Sequence, residues 1–372
     1  MSMKAEILGK MTVMENDKGV FNYFGWPSVT RLPGGKIAVA ASGFRLKHVC
    51  PFGKSVMCVS DDECETFSPA NVVMDTPLDD RDSGLTVFGN GRVMLTSFNN
   101  TIEFQRRRNE AALHSENEDE RRKAQLIDAY LKYAEMRKDN ETYLGSTYRI
   151  SEDGGNTFGE IRISPVTCPH GPLALRNGEL LYIGRRFSED NTFDSGKENY
   201  IQVWKLNGED RFEYVTSIAN IFDEYGVMNS CEPHAIELPD GRIIVHIRVQ
   251  RSGEKPMFTI YQSVSEDGGK TFSKPEKLLS DKGGSPAHLI YTSKGELISV
   301  YGYREAPYGL RFMVSADWGN TWDTDHVLYD GGESGDLGYP ATVELMDGTL
   351  FTVYYENIGG VSRIYGMKWR LV

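Results

Sequence analysis

The chain has 372 residues, 40% of them hydrophobic and 25% charged, with 53 Asp and Glu against 41 Lys and Arg and a net charge of -12. That composition is globular, and the length is enough for a large core. The acidic balance excludes bulk nucleic-acid binding and attraction to an anionic membrane, both of which need a basic surface, and leaves room for a local basic pocket.

The opening stretch, MSMKAEILGKMTVMENDKG, contains no apolar run of signal-peptide length, and no stretch elsewhere would span a bilayer as a helix. The five cysteines, Cys50, Cys58, Cys64, Cys168 and Cys231, are odd in number and show no C-x-x-C spacing. They read as free thiols in a reducing compartment, so a cytoplasmic location is expected.

The next segments follow one plan. PSVTRLPGGKIAVAAS, from Pro27, is an apolar run, a glycine-bearing turn and a second apolar run. The plan recurs in GLTVFGNGRVMLTSF from Gly84, GPLALRNGELLYIGR from Gly171 and PHAIELPDGRIIVHIR from Pro233. PAHLIYTSKGELISVYG from Pro286 and PATVELMDGTLFTVYY from Pro340 complete six copies. Each reads as a β-hairpin, because Asn-Gly, Asp-Gly and Gly-Gly supply the positive φ that a tight turn needs.

Between hairpins the chain spells S-x-D-x-G-x-T-aromatic: SEDGGNTFG from Ser151, SEDGGKTFS from Ser265 and SADWGNTWD from Ser315, with a degenerate SDDECETFS from Ser60. Asp and Ser/Thr side chains in such turns hydrogen-bond the turn backbone, so Asp153, Asp267 and Asp317 read as turn staples and not as catalytic acids. Hairpins with trailing outer strands, recurring roughly every fifty residues, imply an all-β, six-bladed β-propeller of four-stranded antiparallel blades spanning 1–372 as a single domain. The run SRIYGMKWRLV after the last hairpin leaves that blade one strand short, and residues before Phe21 are expected to supply it.

Residues 102–141 break the pattern. They lack glycine and proline and are dense in Arg, Glu, Lys and Ala, with Leu126, Tyr130 and Ala134, and Ile127 and Leu131, at i, i+4 spacing. This is a helical insertion: a solvated decoration, a lid, or an oligomer contact.

In a propeller the hairpin turns lie on one rim, so inner-strand starts and second-strand ends surround the axis on the other face. The starts carry Gly25 and Trp26, Arg81 and Asp82, His170, Glu232 and Tyr339. The ends carry Arg45, Arg185, Arg186, Arg248 and Arg304, with Arg311 shortly after. Guanidinium groups gathered at one face of an acidic protein imply an anionic ligand, because they bind carboxylates bidentately and stay charged. No histidine spacing resembles a metal site, and no phosphate loop or nucleophile-elbow serine is present, so neither metal nor cofactor is expected.

These features resemble the sialidase (neuraminidase) superfamily of six-bladed Asp-box propellers. CEPHAIELPDGRIIVHIR is similar to the family segment in which a glutamate precedes the strand and an arginine closes the hairpin, here Glu232 and Arg248. DLGYPATVELMDGTLFTVYYE is similar to the segment carrying the family's tyrosine nucleophile, here Tyr339. The resemblance implies retaining hydrolysis of a terminal acidic sugar, sialic acid first, with Glu232 taking the proton of Tyr339. It also implies a carbohydrate partner. The chain departs from the family at FGWP, where Gly25 stands in place of the usual first arginine, and before the first Asp box, where no acid precedes the box. Asp82 is the substitute proposed here for the acid/base, from its strand-start position. Arg304 or Arg311 would hold another place in the arginine cluster, and Arg45, Arg185 or Arg186 would replace the missing clamp. Trp26 and His170 complete the expected pocket. Two alternatives stand beside this reading: hydrolysis or elimination on another acidic sugar, of uronate or keto-acid type, and a non-catalytic glycan-binding propeller.

Overall fold

The six hairpin turns close through glycines such as Gly241 and Gly348, at φ +87° and +76°. The strands they join are antiparallel pairs: Tyr23–Arg31 with Ile37–Arg45, Arg81–Phe88 with Arg92–Phe98, and Leu173–Ala174 with Leu180–Arg186. The remaining three are Asn229–Glu237 with Ile243–Arg251, Ala287–Tyr291 with Leu297–Tyr303, and Leu337–Glu344 with Leu350–Ile358. The structure, a computed structural model, describes residues 3–137, 139–140, 142–187, 201–252, 256–281, 283–284 and 286–372.

The fold is an all-β, propeller-like ring. The expected six separate four-stranded blades are corrected by the sheet hydrogen bonding. Among the described residues three four-stranded sheets and one five-stranded sheet stand apart as four blades, beside a two-stranded ribbon of Phe222–Asp223 with Gly226–Val227. The first and last arrays run together as one eight-stranded sheet, joined by a single parallel bridge between Tyr23 and Ser362. The N-terminal strand Ala5–Met14 pairs antiparallel with the C-terminal strand Val361–Leu371 as its outer neighbour.

The first strand of each hairpin lies nearest the axis, and apart from the one Tyr23–Ser362 bridge its outward backbone groups lack an in-sheet partner. Side chains of neighbouring inner strands supply several. Ser28 Oγ donates to the Ser83 carbonyl at 2.6 Å, and Thr86 Oγ1 to the Pro172 carbonyl at 2.8 Å. His234 Nδ1 accepts from the Leu289 N–H at 2.9 Å, and His288 Nδ1 from the Thr342 N–H at 3.3 Å. The ring is thus stitched at its axis. Between sheets, Val39, Val56, Phe351, Val353 and Ile364 form one apolar interface and Ile183, Val203, Ile243 and Val245 another.

Each Asp box closes its turn with one set of bonds. In the box from Ser315, Asp317 Oδ1 accepts from Ser315 Oγ and the Thr321 N–H, Oδ2 accepts from Thr321 Oγ1, and Ser315 Oγ accepts from the Gly319 N–H. The boxes from Ser60, Ser151 and Ser265 repeat it. These bonds, led by that from the threonine hydroxyl, hold each aspartate down at about 2. The glycine is needed for space as well as backbone: Gly319 has φ +85°, and a Cβ there would lie 2.2 Å from Ile244 Cδ1 of the preceding blade.

The insertion forms two helices, α1 (Ile102–Leu113), capped by Thr101, and α2 (Glu118–Met136), capped by Asn117. The buried stripe of α2 is Ala124, Ile127, Leu131 and Ala134; Leu126, placed in a stripe by its spacing, is exposed instead. Ile127 and Leu131 pack on Leu46 and Cys50, in the loop after the second strand. Burying two such side chains is worth about 1.5–3 kcal/mol each, which fixes the helices to the ring. All five cysteines are buried free thiols.

Gly319→Ala is expected to lower stability by about 1–3 kcal/mol, through left-handed backbone strain and the Ile244 clash. Met346→Ala, in an exposed hairpin turn, is expected to leave the melting temperature unchanged. Denaturant unfolding of both variants checks this.

Candidate active site

Four of the six inner strands do not begin as regular strands. Pairing with the second strand is interrupted between Gly25 and Ser28, Arg81 and Gly84, Cys231 and His234, and Gly338 and Ala341. Within each interruption one residue has positive φ: Trp26 at 54°, Asp82 at 51°, Glu232 at 48° and Tyr339 at 51°. These are β-bulges, which re-aim a side chain out of the strand's alternation. Three of the four residues precede proline, which has no N–H to lose at a broken rung. A non-glycine residue in this region costs about 1–3 kcal/mol, and such strain clusters at functional sites.

Three of these side chains, Asp82, Glu232 and Tyr339, line a pocket of about 460 Å³ on the face opposite the hairpin turns. The Tyr339 hydroxyl donates to Glu232 Oε1 at 2.7 Å and accepts from Arg248 Nη1 at 3.0 Å. The same Nη1 binds Glu232 Oε2, while the rest of that guanidinium holds Gln250 Oε1. Burial first, and then the charge of Glu232, hold the Tyr339 phenol well above its ordinary range, so it keeps its proton until a base removes it. The nearest base is the carboxylate it already touches. Arg248 and Arg304 both lie over the Phe258 ring, with carbons 4.7 and 5.8 Å from its centre, and Arg304 is tied to the Leu337 carbonyl and the Tyr355 hydroxyl.

Asp82 is buried, and its Oδ1 has no hydrogen-bond partner. Desolvation raises its pKa to about 7 against the pull of Arg81, with Glu232 adding to the rise. It is a carboxylic acid able to hold a proton at neutral pH. Trp26, the fourth bulge residue, does not line the pocket; it is buried behind it. Arg81 lies over its ring at 4.3 Å and Arg45 at 4.9 Å, with His48 edge-on at 4.9 Å. Trp26 is a platform that holds arginines.

The strand-end arginines separate into two groups. Arg185, Arg186, Arg248 and Arg304 line the pocket. Arg45 does not: it is fully buried, paired with Asp79 at 2.6 Å and bonded to Ser42 and the His48 carbonyl. Arg311 does not reach it either, since its guanidinium is spent on the carbonyls of Leu310, Tyr329 and Pro307. His170 lies in a separate axial cavity below. At Gly25 a Cβ would touch the rings of Tyr23 and Tyr355, whose hydroxyls both donate to Asp336. A tyrosine–carboxylate cluster thus packs where the resemblance puts an arginine.

Arg81, a strand-start residue outside the expected site set, lines the pocket beside Asp82. Sequence reasoning also passed over His48, Gln250, Phe104 and Arg108. Phe104 and Arg108 stand on one face of α1 at i, i+4, a spacing visible in the sequence; what it did not show is that α1 leans over the mouth. Lys47 Nζ bonds Asn109 Oδ1 at 2.8 Å and the Tyr130 hydroxyl bonds the Pro77 carbonyl at 3.0 Å, so the insertion is docked as one wall. Among the described residues no group of three or more His, Cys, Asp or Glu is arranged to hold a metal ion, and no helix is long and apolar enough to cross a membrane.

A family model described as a BNR repeat-like domain matches residues 138–352, more than half of the chain. No curated protein matches by sequence. Among solved structures, a protein of unknown function from Dyadobacter fermentans is similar at 20% identity and TM-score 0.73, with 99% of each chain covered. The intramolecular trans-sialidase from Ruminococcus gnavus is similar at 14% identity and TM-score 0.63, covering 98% of this chain and 97% of that one. An α-L-arabinanase from Penicillium chrysogenum is similar at 12% identity and TM-score 0.60, covering 99% and 98%. At these identities the likeness establishes the fold alone.

Arg45→Ala is expected to cost about 2–3 kcal/mol of stability, because it removes the nearer cation of buried Asp79 and leaves it Arg81, at 3.8 Å, and the Cys50 N–H. Arg186→Ala, at the exposed rim, is expected to cost far less. Thermal melts of the two variants separate the structural arginine from the pocket arginine.

Proposed function

We propose that this chain, which belongs to the BNR repeat-like domain family, is an exo-acting glycoside hydrolase that cleaves a terminal acidic sugar by a retaining mechanism. One observation carries the proposal: the Tyr339 hydroxyl lies 2.7 Å from Glu232, with Arg248 bonded to both, in an arginine-lined pocket. A phenol at its ordinary pKa of about 10 is a poor nucleophile unaided, and this one sits higher still. Glu232 removes its proton as the oxygen attacks the anomeric carbon. Asp82, protonated, delivers its proton to the departing glycosidic oxygen. In the second half, ionised Asp82 takes a proton from water as that water attacks the same carbon, and Tyr339 leaves and regains its proton from Glu232. A neutral nucleophile suits a sugar whose own carboxylate would repel an anion. Arg304, Arg81, Arg185 and Arg186 supply guanidinium groups for that carboxylate, and α1 bounds the side on which an aglycone would leave. Sialic acid is the first specific substrate.

A second reading is favoured by the tyrosine–carboxylate cluster at Gly25, which displaces the carboxylate clamp from the first blade toward Arg81 and Arg185. The same groups would then act on a uronate or another keto-acid sugar, by hydrolysis or by elimination with Tyr339 or Asp82 as acid or base. A non-catalytic glycan-binding propeller is the remaining outcome.

Release of methylumbelliferone from its sialoside separates these. Wild type is expected to turn over, while Glu232→Gln and Tyr339→Phe lose at least about a hundredfold in kcat. No turnover at high enzyme concentration rules out sialic acid as the simple substrate, and a panel of uronosides follows. Glycan binding with no cleavage across the panel supports the binding module.

Asp82 gives a pH prediction of definite sign. The catalytic acid must be protonated, so kcat/KM is expected to fall as pH rises through about 7, and Asp82→Asn to abolish that limb together with most of the activity. Its folded pKa lies above the unfolded value, so its contribution to stability is present at low pH and lost as pH rises through about 7. Asp82→Asn is therefore expected to raise the melting temperature more at pH 8 than at pH 4.

A further inference from the structure

Below the pocket, on the ring axis, lies a second cavity of about 270 Å³ lined by residues of all six inner strands. Three imidazoles meet in it. His234 and His288 are stacked, with centres 4.1 Å apart and planes at 23°, and His170 stands edge-on to both at 5.4 and 5.1 Å. No Asp, Glu, Lys or Arg is among the residues that line it.

The protonation of two rings follows from their backbone partners. Nδ1 of His234 accepts from the Leu289 N–H and Nδ1 of His288 from the Thr342 N–H. A neutral imidazole whose Nδ1 accepts carries its proton on Nε2. Both rings therefore hold Nε2–H as a donor, and neither has an Nε2 lone pair for a metal. His170 is 4% exposed, and both of its ring nitrogens are buried without a hydrogen-bond partner. A buried polar group left in that state costs about 1–3 kcal/mol. Two rings with a fixed Nε2–H and a third with unmet hydrogen-bonding capacity thus line the cavity, and no carboxylate is there to hold a cation or repel an anion.

We propose that this axial cavity binds a small monovalent anion of the halide class, held by the Nε2–H groups of His234 and His288 and by His170. A divalent oxyanion is excluded by the cost of desolvating two charges with no counter-charge in the walls. Burial keeps all three histidines below their ordinary range, His234 at about 3, so the three rings are neutral at physiological pH. An anion favours the imidazolium form, so binding takes up protons and tightens as pH falls. The other titratable lining group among the described residues is Tyr291. Cys168, two residues before His170, donates its Sγ–H to the Gly171 carbonyl, while Asp82 and Glu232 face the upper pocket.

The test is thermal unfolding of the full chain in sodium bromide against sodium gluconate at equal ionic strength, at pH 6 and pH 8. Bromide is expected to raise the melting temperature saturably, and more at pH 6. The effect is expected to persist in Arg304→Ala and to disappear in His170→Phe. Line broadening of chloride in ³⁵Cl NMR, competed by bromide, reads binding on the wild-type chain should the histidine variant fail to fold. Equal melting in both salts with no chloride broadening overturns the proposal and leaves a water-filled channel. Loss of the bromide effect in Arg304→Ala with retention in His170→Phe overturns it too, by moving the anion to the upper pocket.

Discussion

Four inner strands of this ring give up their regular pairing at the mouth, and three of them point a side chain into the pocket there. That break in the backbone governs the mouth. Four strands make it with a bulge and a residue at positive φ, and those residues are Trp26, Asp82, Glu232 and Tyr339. A flat strand would send alternate side chains into the interfaces between sheets. The bulge instead turns carboxylates and a phenol toward one point while the strand below continues into the core. The strain is held because the bulged side chains have partners: Tyr339 on Glu232, Glu232 on Arg248, and Trp26 beneath two guanidinium groups. Asp82 is the exception, with one oxygen unpartnered and its proton held by burial.

The electrostatics follow from the same geometry. A chain of net charge -12 carries a basic cleft because its arginines are gathered at strand ends around the axis. Position on the ring does not by itself make an arginine a ligand group. Arg45 and Arg248 both lie on second strands, yet one is buried against Asp79 and the other lies in the cleft against Glu232. The loop after Arg45 folds back over it and carries Leu46 and Cys50, on which the helical insertion rests. Structural and ligand-facing arginines are thus separated by what covers them.

This explains how much could be read from the sequence. Hairpins were legible because their turns and alternation are local. The bond pattern of each Asp box was legible for the same reason. The face of the ring that carries the site followed from hairpin geometry, which brought Asp82, Glu232, Tyr339 and Arg248 together without any coordinates. The fusion of the first and last arrays was not legible, because it rests on one bridge between Tyr23 and Ser362 at opposite ends of the chain. Arg45, Arg311, His170 and Trp26 were misplaced because strand position alone does not say what surrounds a side chain: Arg45 turns onto Asp79, Arg311 onto backbone carbonyls, Trp26 under two guanidinium groups, and His170 lies in the lower axial cavity. The insertion was recognisable as helical, but its register was misjudged at Leu126, and its approach to the pocket through Phe104 and Arg108 depends on where it docks.

The account's central claim is that Tyr339 is the atom donor for a covalent intermediate, with Glu232 as its base. The most direct measurement is mass spectrometry of the enzyme after brief exposure to a 3-fluorinated acidic sugar with a good leaving group, which slows release of the intermediate. The account predicts one sugar adduct per chain on the peptide containing Tyr339, absent in Tyr339→Phe. An adduct on Asp82 or Glu232, or turnover with inverted anomeric configuration and no adduct, would contradict it.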